Sequence, residues 1–269
     1  MQAARLNGVT IHFQVIGADE TKPLIVFSNS LGTDSRIWRD VVVRLVGEAG
    51  IVLYDKRGHG LSDEGAPPHA MDDHVGDLAA LLDHLGGRPA IVCGLSVGGL
   101  IAQGLALARP DLVSGLVLCD TGMKIGDESV WRPRIEAIEA GGMGAIVDAT
   151  MERWFTQGFR TERPGELALY ANMLRRQPAN GYVGTAHAIL GADYRKRASG
   201  IAVPTLCIVG DDDRATPPSL VRDLARTIPG ARFEVIKGAG HLPCIEQSAV
   251  MADMIGAFLS LMGQTEGTG

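Results

Sequence analysis

The sequence predicts an α/β fold: a mostly parallel central sheet flanked by helices, with a helical lid inserted. Three observations carry this expectation. Short, wholly apolar runs of strand length alternate with helical patterns, as parallel strands covered on both faces require. One stretch, 122–200, breaks the alternation and shows helical periodicity alone. The chain has 269 residues, 46% hydrophobic and 21% charged with 35 glycines, enough for one domain with a large core and an insertion.

The elements follow in order. Asn7-Gly8, between two short alternating runs, reads as the turn of an N-terminal hairpin. Apolar runs at 24–27, 51–54, 90–93, 116–119, 205–209 and 233–236 read as strands, and helical patterns fall near 72–85, 97–109, 217–228 and 246–262. Within 122–200, periodic segments near 130–140, 143–156, 164–176 and 181–190 read as helices. The expected organisation is a core formed by 1–121 and 201–262, a helical cap or lid at 122–200, and a flexible tail at 263–269. Ligands in open α/β sheets bind beyond the C-terminal strand ends, so the insertion is placed to cover a site there.

Composition narrows the function. A net charge of −6 argues against nucleic acid as a partner. The longest apolar runs fall far short of the roughly 18 residues needed to span a bilayer, so no membrane is expected. The N-terminus carries no signal-peptide core, which makes a cytoplasmic address the default expectation. Cys93, Cys119, Cys207 and Cys244 have no metal-type spacing, and three sit in apolar strand-like runs, so buried free thiols are expected. Charge is divided unevenly: 122–200 holds 11 Lys+Arg against 9 Asp+Glu, the rest 14 against 22. The lid is therefore the less acidic part, which favours it for holding an anionic substrate.

The most informative motif is Gly94-Leu95-Ser96-Val97-Gly98, between a strand-like and a helix-like run. Strand, G-x-S-x-G and helix form the turn on which a serine becomes a nucleophile, strained enough to need glycines on either side. A serine also needs a base and an orienting acid. His241, after two glycines and near the C-terminus, is the candidate base, and Asp213 the candidate acid. Asp213 closes a run of three aspartates. It is favoured because the loop must travel a few residues past the strand to reach the histidine, while Asp211 and Asp212 read as capping or solvated. The chain order Ser, Asp, His is that of α/β-hydrolases. The loop Ser28-Asn29-Ser30-Leu31-Gly32 follows a strand opposite this turn, so the backbone amides of Leu31 and Val97 are the expected oxyanion-hole donors. His59 reads as loop structure, since His241 already supplies a base. Trp131, Arg134 and Trp154 are candidate substrate-binding residues in the lid, with packing or surface roles as the alternative.

Several stretches together resemble the 3-oxoadipate enol-lactonases of the α/β-hydrolase superfamily. They are Ser28-Asn29-Ser30-Leu31-Gly32-Thr33, Tyr54-Asp55-Lys56-Arg57-Gly58-His59-Gly60-Leu61-Ser62-Asp63, the Ser96 turn, Gly210-Asp211-Asp212-Asp213-Arg214-Ala215-Thr216-Pro217-Pro218 and Gly240-His241-Leu242-Pro243-Cys244-Ile245-Glu246-Gln247. The lid segment Trp131-Arg132-Pro133-Arg134 resembles that family's W-x-x-R helix, whereas His187 and Ser248 depart from its pattern. The resemblance implies a serine hydrolase that opens the enol-lactone ring of a small anion in aromatic catabolism, with a Ser-Asp-His triad and neither cofactor nor metal. Arg134 is the first choice for the substrate carboxylate, with Arg175 and Arg176 as other lid cations. A broader carboxylesterase, lactonase, lactamase or cofactor-free perhydrolase shares the triad, and a slow-turnover butenolide-type receptor is the reading from another class. Oligomeric state is not legible in the sequence.

Overall fold

Asn7 and Gly8 both adopt positive φ, 46° and 84°, and fold β1 (Gln2–Leu6) back onto β2 (Val9–Ile16) with Leu6 opposite Val9. This is the two-residue hairpin that Asn-Gly predicts, because the turn needs left-handed backbone at both positions. The computed structural model describes residues 1–18 and 20–266.

The remaining strands are β3 (Leu24–Ser28), β4 (Gly50–Tyr54), β5 (Ala90–Leu95), β6 (Val113–Cys119), β7 (Thr205–Gly210) and β8 (Arg232–Ile236). They form one eight-stranded sheet in the order β1-β2-β4-β3-β5-β6-β7-β8. Pairing is parallel from β4 to β8 and antiparallel only at the N-terminal edge. All residues of β3, β4, β5 and β7 are buried, which is why these strands are continuous apolar runs.

Helices α1 (Arg39–Leu45), α2 (Met71–His84) and α3 (Val97–Ala108) lie between the early strands. Between β6 and β7 every regular element is helical: α4 (Glu128–Gly141), α5 (Val147–Trp154), α6 (Gln157–Glu162), α7 (Pro164–Arg175) and α8 (Ala179–Gly191), with short 3₁₀ turns. The chain returns through β7, α9 (Pro218–Thr227), β8, α10 (Pro243–Glu246) and α11 (Ser248–Glu266). In α9, Val221, Leu224 and Ala225 are buried, the i, i+3, i+4 stripe of a helix with one face on the core.

Four details depart from the sequence expectation. α1 went unread because only Val41, Val42 and Leu45 of its seven residues turn inward, too short a pattern to distinguish from a strand. α6 is likewise a single short helix whose buried residue is Phe159. The segment read as one helix at 246–262 is broken at Gln247. The last helix continues to Glu266, four residues into the stretch expected to be a flexible tail, and 267–269 lie outside the described residues. All four cysteines are free and buried. Among the described residues no helix is long and apolar enough to cross a membrane.

Candidate active site

Ser96 stands between β5 and α3 with φ 58° and ψ −116°, a conformation that non-glycine residues rarely adopt. The strain is held by its neighbours. Its amide donates to the Cys119 carbonyl at 2.9 Å, and its carbonyl accepts from Thr121 Oγ1 at 2.7 Å and the Gly99 amide at 2.9 Å. The flanking glycines are there for space. A Cβ on Gly94 would stand 2.2 Å from the Gly98 carbonyl oxygen, and one on Gly98 only 2.1 Å from that of Ser28. The second contact seats the end of β3 directly on the first turn of α3. It brings the loop carrying Leu31 beside the turn carrying Ser96 and Val97.

On this loop, the Leu31 amide makes no hydrogen bond among the described residues, and neither does that of Val97, the first residue of α3. The neighbouring amide of Gly32, by contrast, donates to His59 Nε2 at 2.9 Å, while His59 Nδ1 faces the Arg57 carbonyl at 3.2 Å. His59 is buried loop structure, as the sequence suggested. Its pKa lies well below the ordinary value, first through burial and then through the charge of Lys56.

His241 and Asp213 come from loops after β8 and β7. His241 Nδ1 is 3.0 and 3.1 Å from the two Asp213 carboxylate oxygens. Asp213 also accepts from the amides of Ala215 at 2.8 Å and Thr216 at 3.1 Å, and from Thr216 Oγ1 at 2.6 Å. Burial alone would raise the Asp213 pKa. The imidazole and the Thr216 bonds outweigh it and hold the carboxyl below the ordinary range. A carboxylate on Nδ1 selects the tautomer that leaves Nε2 free to take a proton. Asp211 caps the amides of Gly238 and Ala239, at 2.8 and 3.3 Å, and Asp212 pairs with Arg214 at 3.3 Å. These are the capping and solvated roles expected of them.

Ser96, His241 and Leu31 line one cavity of about 340 Å³ together with Trp131, Arg134 and Trp154. Among the described residues Ser96 Oγ makes no hydrogen bond, so the cavity holds the hydroxyl uncommitted. Trp131 is anchored by its Nε1 donating to the Ile125 carbonyl at 2.8 Å, and Arg134 lies over its ring at 4.8 Å. Arg175 and Arg176 do not reach this cavity. Arg175 is bonded to Asn172, and Arg176 lines a separate pocket with His12 and Arg36.

Sequence reading missed several residues of the site, among them Tyr182, Arg214 (paired with Asp212), Arg153 and Asp120. Arg153 also lines the cavity, and neither it nor Arg134 pairs with a carboxylate among the described residues. Burial first, then the charge of Arg134, pulls the Arg153 guanidinium below its ordinary pKa. No sequence signal marks it beyond its place before Trp154. Asp120 is fully buried at the end of β6, at φ 45°, with one oxygen accepting from the Gly210 amide at 2.9 Å and the other making no hydrogen bond among the described residues. Ligating atoms of Asp120, Asp213 and His241 all lie within 4.8 Å of one another. Burial, then the Asp213 charge, raises the Asp120 pKa well above the usual carboxylate range. Its signal was available: a lone acid at the C-terminal end of an apolar parallel strand. Two carboxyls and one imidazole could contact a cation, but a raised Asp120 pKa and an Asp213 already bonded to His241 and Thr216 suit a neutral acid beside an ionised one.

The alpha/beta hydrolase fold family matches residues 23–248. The chain is 35% identical to 3-oxoadipate enol-lactonase 1 of Acinetobacter baylyi, over 94% of each chain, and 32% identical to that organism's 3-oxoadipate enol-lactonase 2, over 89% of each. The crystal structure of an enol-lactonase from Burkholderia xenovorans superposes with a TM-score of 0.93 at 36% identity, covering 96% of this chain and 100% of that one.

Proposed function

The chain belongs to the α/β-hydrolase family, and from that premise we propose that it opens a carboxylated enol-lactone, 3-oxoadipate enol-lactone, by nucleophilic catalysis at Ser96. His241 takes the Ser96 proton as Oγ attacks the lactone carbonyl, while Asp213 orients the imidazole and stabilises its cation. The Leu31 and Val97 amides hold the developing oxyanion. Collapse breaks the ring C–O bond; the enolate stays tethered within the acyl-enzyme, takes the proton from His241 and tautomerises to the ketone. Water activated by His241 then frees the acid from Ser96. The place of such a step is the β-ketoadipate branch of aromatic catabolism.

The observation that carries this reading is the pair Arg134 and Arg153, two cations in the cavity that Ser96 and His241 line, neither of which pairs with a carboxylate among the described residues. Cations left unpaired in a partly desolvated site favour an anionic ligand, and the substrate class supplies one carboxylate. A panel of a carboxylated enol-lactone, a neutral lactone and a neutral aryl acetate tests it. The carboxylated enol-lactone is expected to give the highest kcat/KM, with turnover in the range of about 1–10³ per second. A serine-reactive phosphonate is expected to add once, at Ser96. Equal kcat/KM across the panel points to a general esterase, and turnover far below that range points to a ligand receptor.

A further inference from the structure

The loop that carries Leu31 rests on a buried lysine. Lys56 follows β4 and is 1% exposed. Its Nζ donates to the Ser30 carbonyl at 2.6 Å and to the Asn29 carbonyl at 3.3 Å, and it pairs with no carboxylate among the described residues. The adjacent Asp55 is engaged elsewhere, with His12 Nδ1 at 2.8 Å and the amides of Ser35 at 2.8 Å and Leu61 at 3.0 Å. Among the described residues the acceptors of Lys56 Nζ are thus two main-chain carbonyls of one loop.

The Ser30 carbonyl and the Leu31 N–H are the two ends of one peptide unit. That unit is planar, so fixing the oxygen fixes the direction of the N–H. A hydrogen bond accepted at the oxygen also polarises the amide and strengthens the N–H as a donor. Ser30 O accepts in addition from Thr33 Oγ1 at 2.9 Å and the Thr33 amide at 3.3 Å. The loop thus has neutral donors of its own, and a buried lysine is a costly addition to them. Burial, the largest influence on it, brings the Lys56 pKa down to about 7, and either protonation state keeps an N–H to donate.

We propose that Lys56 is a positioning residue of the oxyanion site, which aims and strengthens the Leu31 N–H by holding the Ser30 carbonyl from behind. The inference rests on the reading of Leu31 as an oxyanion donor. It separates two layers of the site: the amide that contacts the substrate oxygen, and a side chain that never touches substrate but sets how well the amide donates.

The test is Lys56→Met and Lys56→Gln in the full chain, with Ser96→Ala alongside. Lys56→Met leaves Ser30 O with its two Thr33 donors, so no buried acceptor is orphaned. Loss of a whole oxyanion donor costs about 10²–10³ in rate, so a misaimed one is expected to lower kcat about 10–100-fold. The loss should be the same on the enol-lactone and on p-nitrophenyl acetate, with KM changed less than about threefold. Phenylboronic acid, which forms a tetrahedral adduct on the serine, should bind more weakly by the same factor as kcat/KM. Lys56→Gln, which keeps an N–H, should recover part of the loss and carries the test if the Met variant does not fold. A kcat within threefold of the parent, a loss confined to KM, or unchanged boronate affinity overturns the proposal. Activity retained in Ser96→Ala overturns the reading of the site itself. Activity lost there but kept in the Lys56 variants overturns this inference alone.

Discussion

The amide of His241 donates to the carbonyl of Trp154 at 2.8 Å, so the imidazole loop and the end of α5 are tied by a main-chain hydrogen bond. Glu246 reinforces the tie. One carboxylate oxygen accepts from Thr156 Oγ1 at 2.7 Å and the Thr156 amide at 3.1 Å, and the other from the Gly240 amide at 2.6 Å. The helices between β6 and β7 and the His241 loop are therefore not independent parts. Glu246→Ala strips partners from both strands of this tie and is expected to cost about 1–3 kcal/mol in stability. It should also lower kcat and raise KM together, because base and cavity wall shift as one. Glu246→Gln keeps an acceptor and should recover part of both losses. Urea unfolding and steady-state kinetics on the same preparations check this, and an unaltered unfolding midpoint in the alanine variant contradicts it.

Asp213→Asn should leave substrate binding nearly intact and lower kcat by up to about 10⁴, because an amide on Nδ1 permits the wrong imidazole tautomer. Asp211→Asn and Asp212→Asn should be mild, since Asp211 caps a turn and Asp212 sits at the surface beside Arg214. Kinetics on the three variants decide, and a severe Asp212→Asn would place the acid one residue earlier.

The two arginines should act as one carboxylate site. A charge-assisted hydrogen bond is worth about 1.5–3 kcal/mol, or roughly 10–150-fold in binding. Arg134→Ala and Arg153→Ala are each expected to lower kcat/KM for a carboxylated enol-lactone within that range and to leave a neutral aryl acetate almost unchanged. The double variant should lose less than the product of the two, since both cations face one anion. Arg134→Lys should recover only part if the contact is a bidentate fork. Arg175→Ala, whose residue lies outside the cavity, should change neither substrate. Equal losses on charged and neutral substrates would assign Arg134 and Arg153 to packing.

Asp120 makes stability depend on pH. Its folded pKa is raised, so the folded state holds this proton more tightly than the unfolded chain does. Its contribution is full below the unfolded value, about 3.9, and is lost as pH rises through the folded pKa. Asp120→Asn keeps an acceptor for the Gly210 amide and has no proton to lose. Its stability relative to the parent should therefore increase as pH rises from about 4 toward neutrality. Urea midpoints at successive pH values measure the difference, and parallel curves would show that Asp120 does not titrate in this window.

Ser96, His241, the Asn7-Gly8 turn and most strands are legible in the chain because each is a local signature. A G-x-S-x-G turn, an Asn-Gly pair or an apolar run declares its backbone within a few residues. Asp213 needed one more step, the length of the loop beyond β7. Short helices such as α1 and α6 were not legible, since two turns give too few repeats to mark a period. What only the folded molecule decided is convergence. Lys56 is one charge within a loop motif until β4 sets it beneath the Ser30 carbonyl. Arg153 and Arg175 are alike as lid arginines until packing turns the first into the cavity and leaves the second on the surface beside Asn172. The Asp120 pKa rises first because the fold buries the carboxyl and then because β6 and β7, lying side by side, bring the Asp213 charge against it. Local backbone preference is written in neighbours along the chain, whereas desolvation and charge pairing depend on groups that the sheet brings together from far apart.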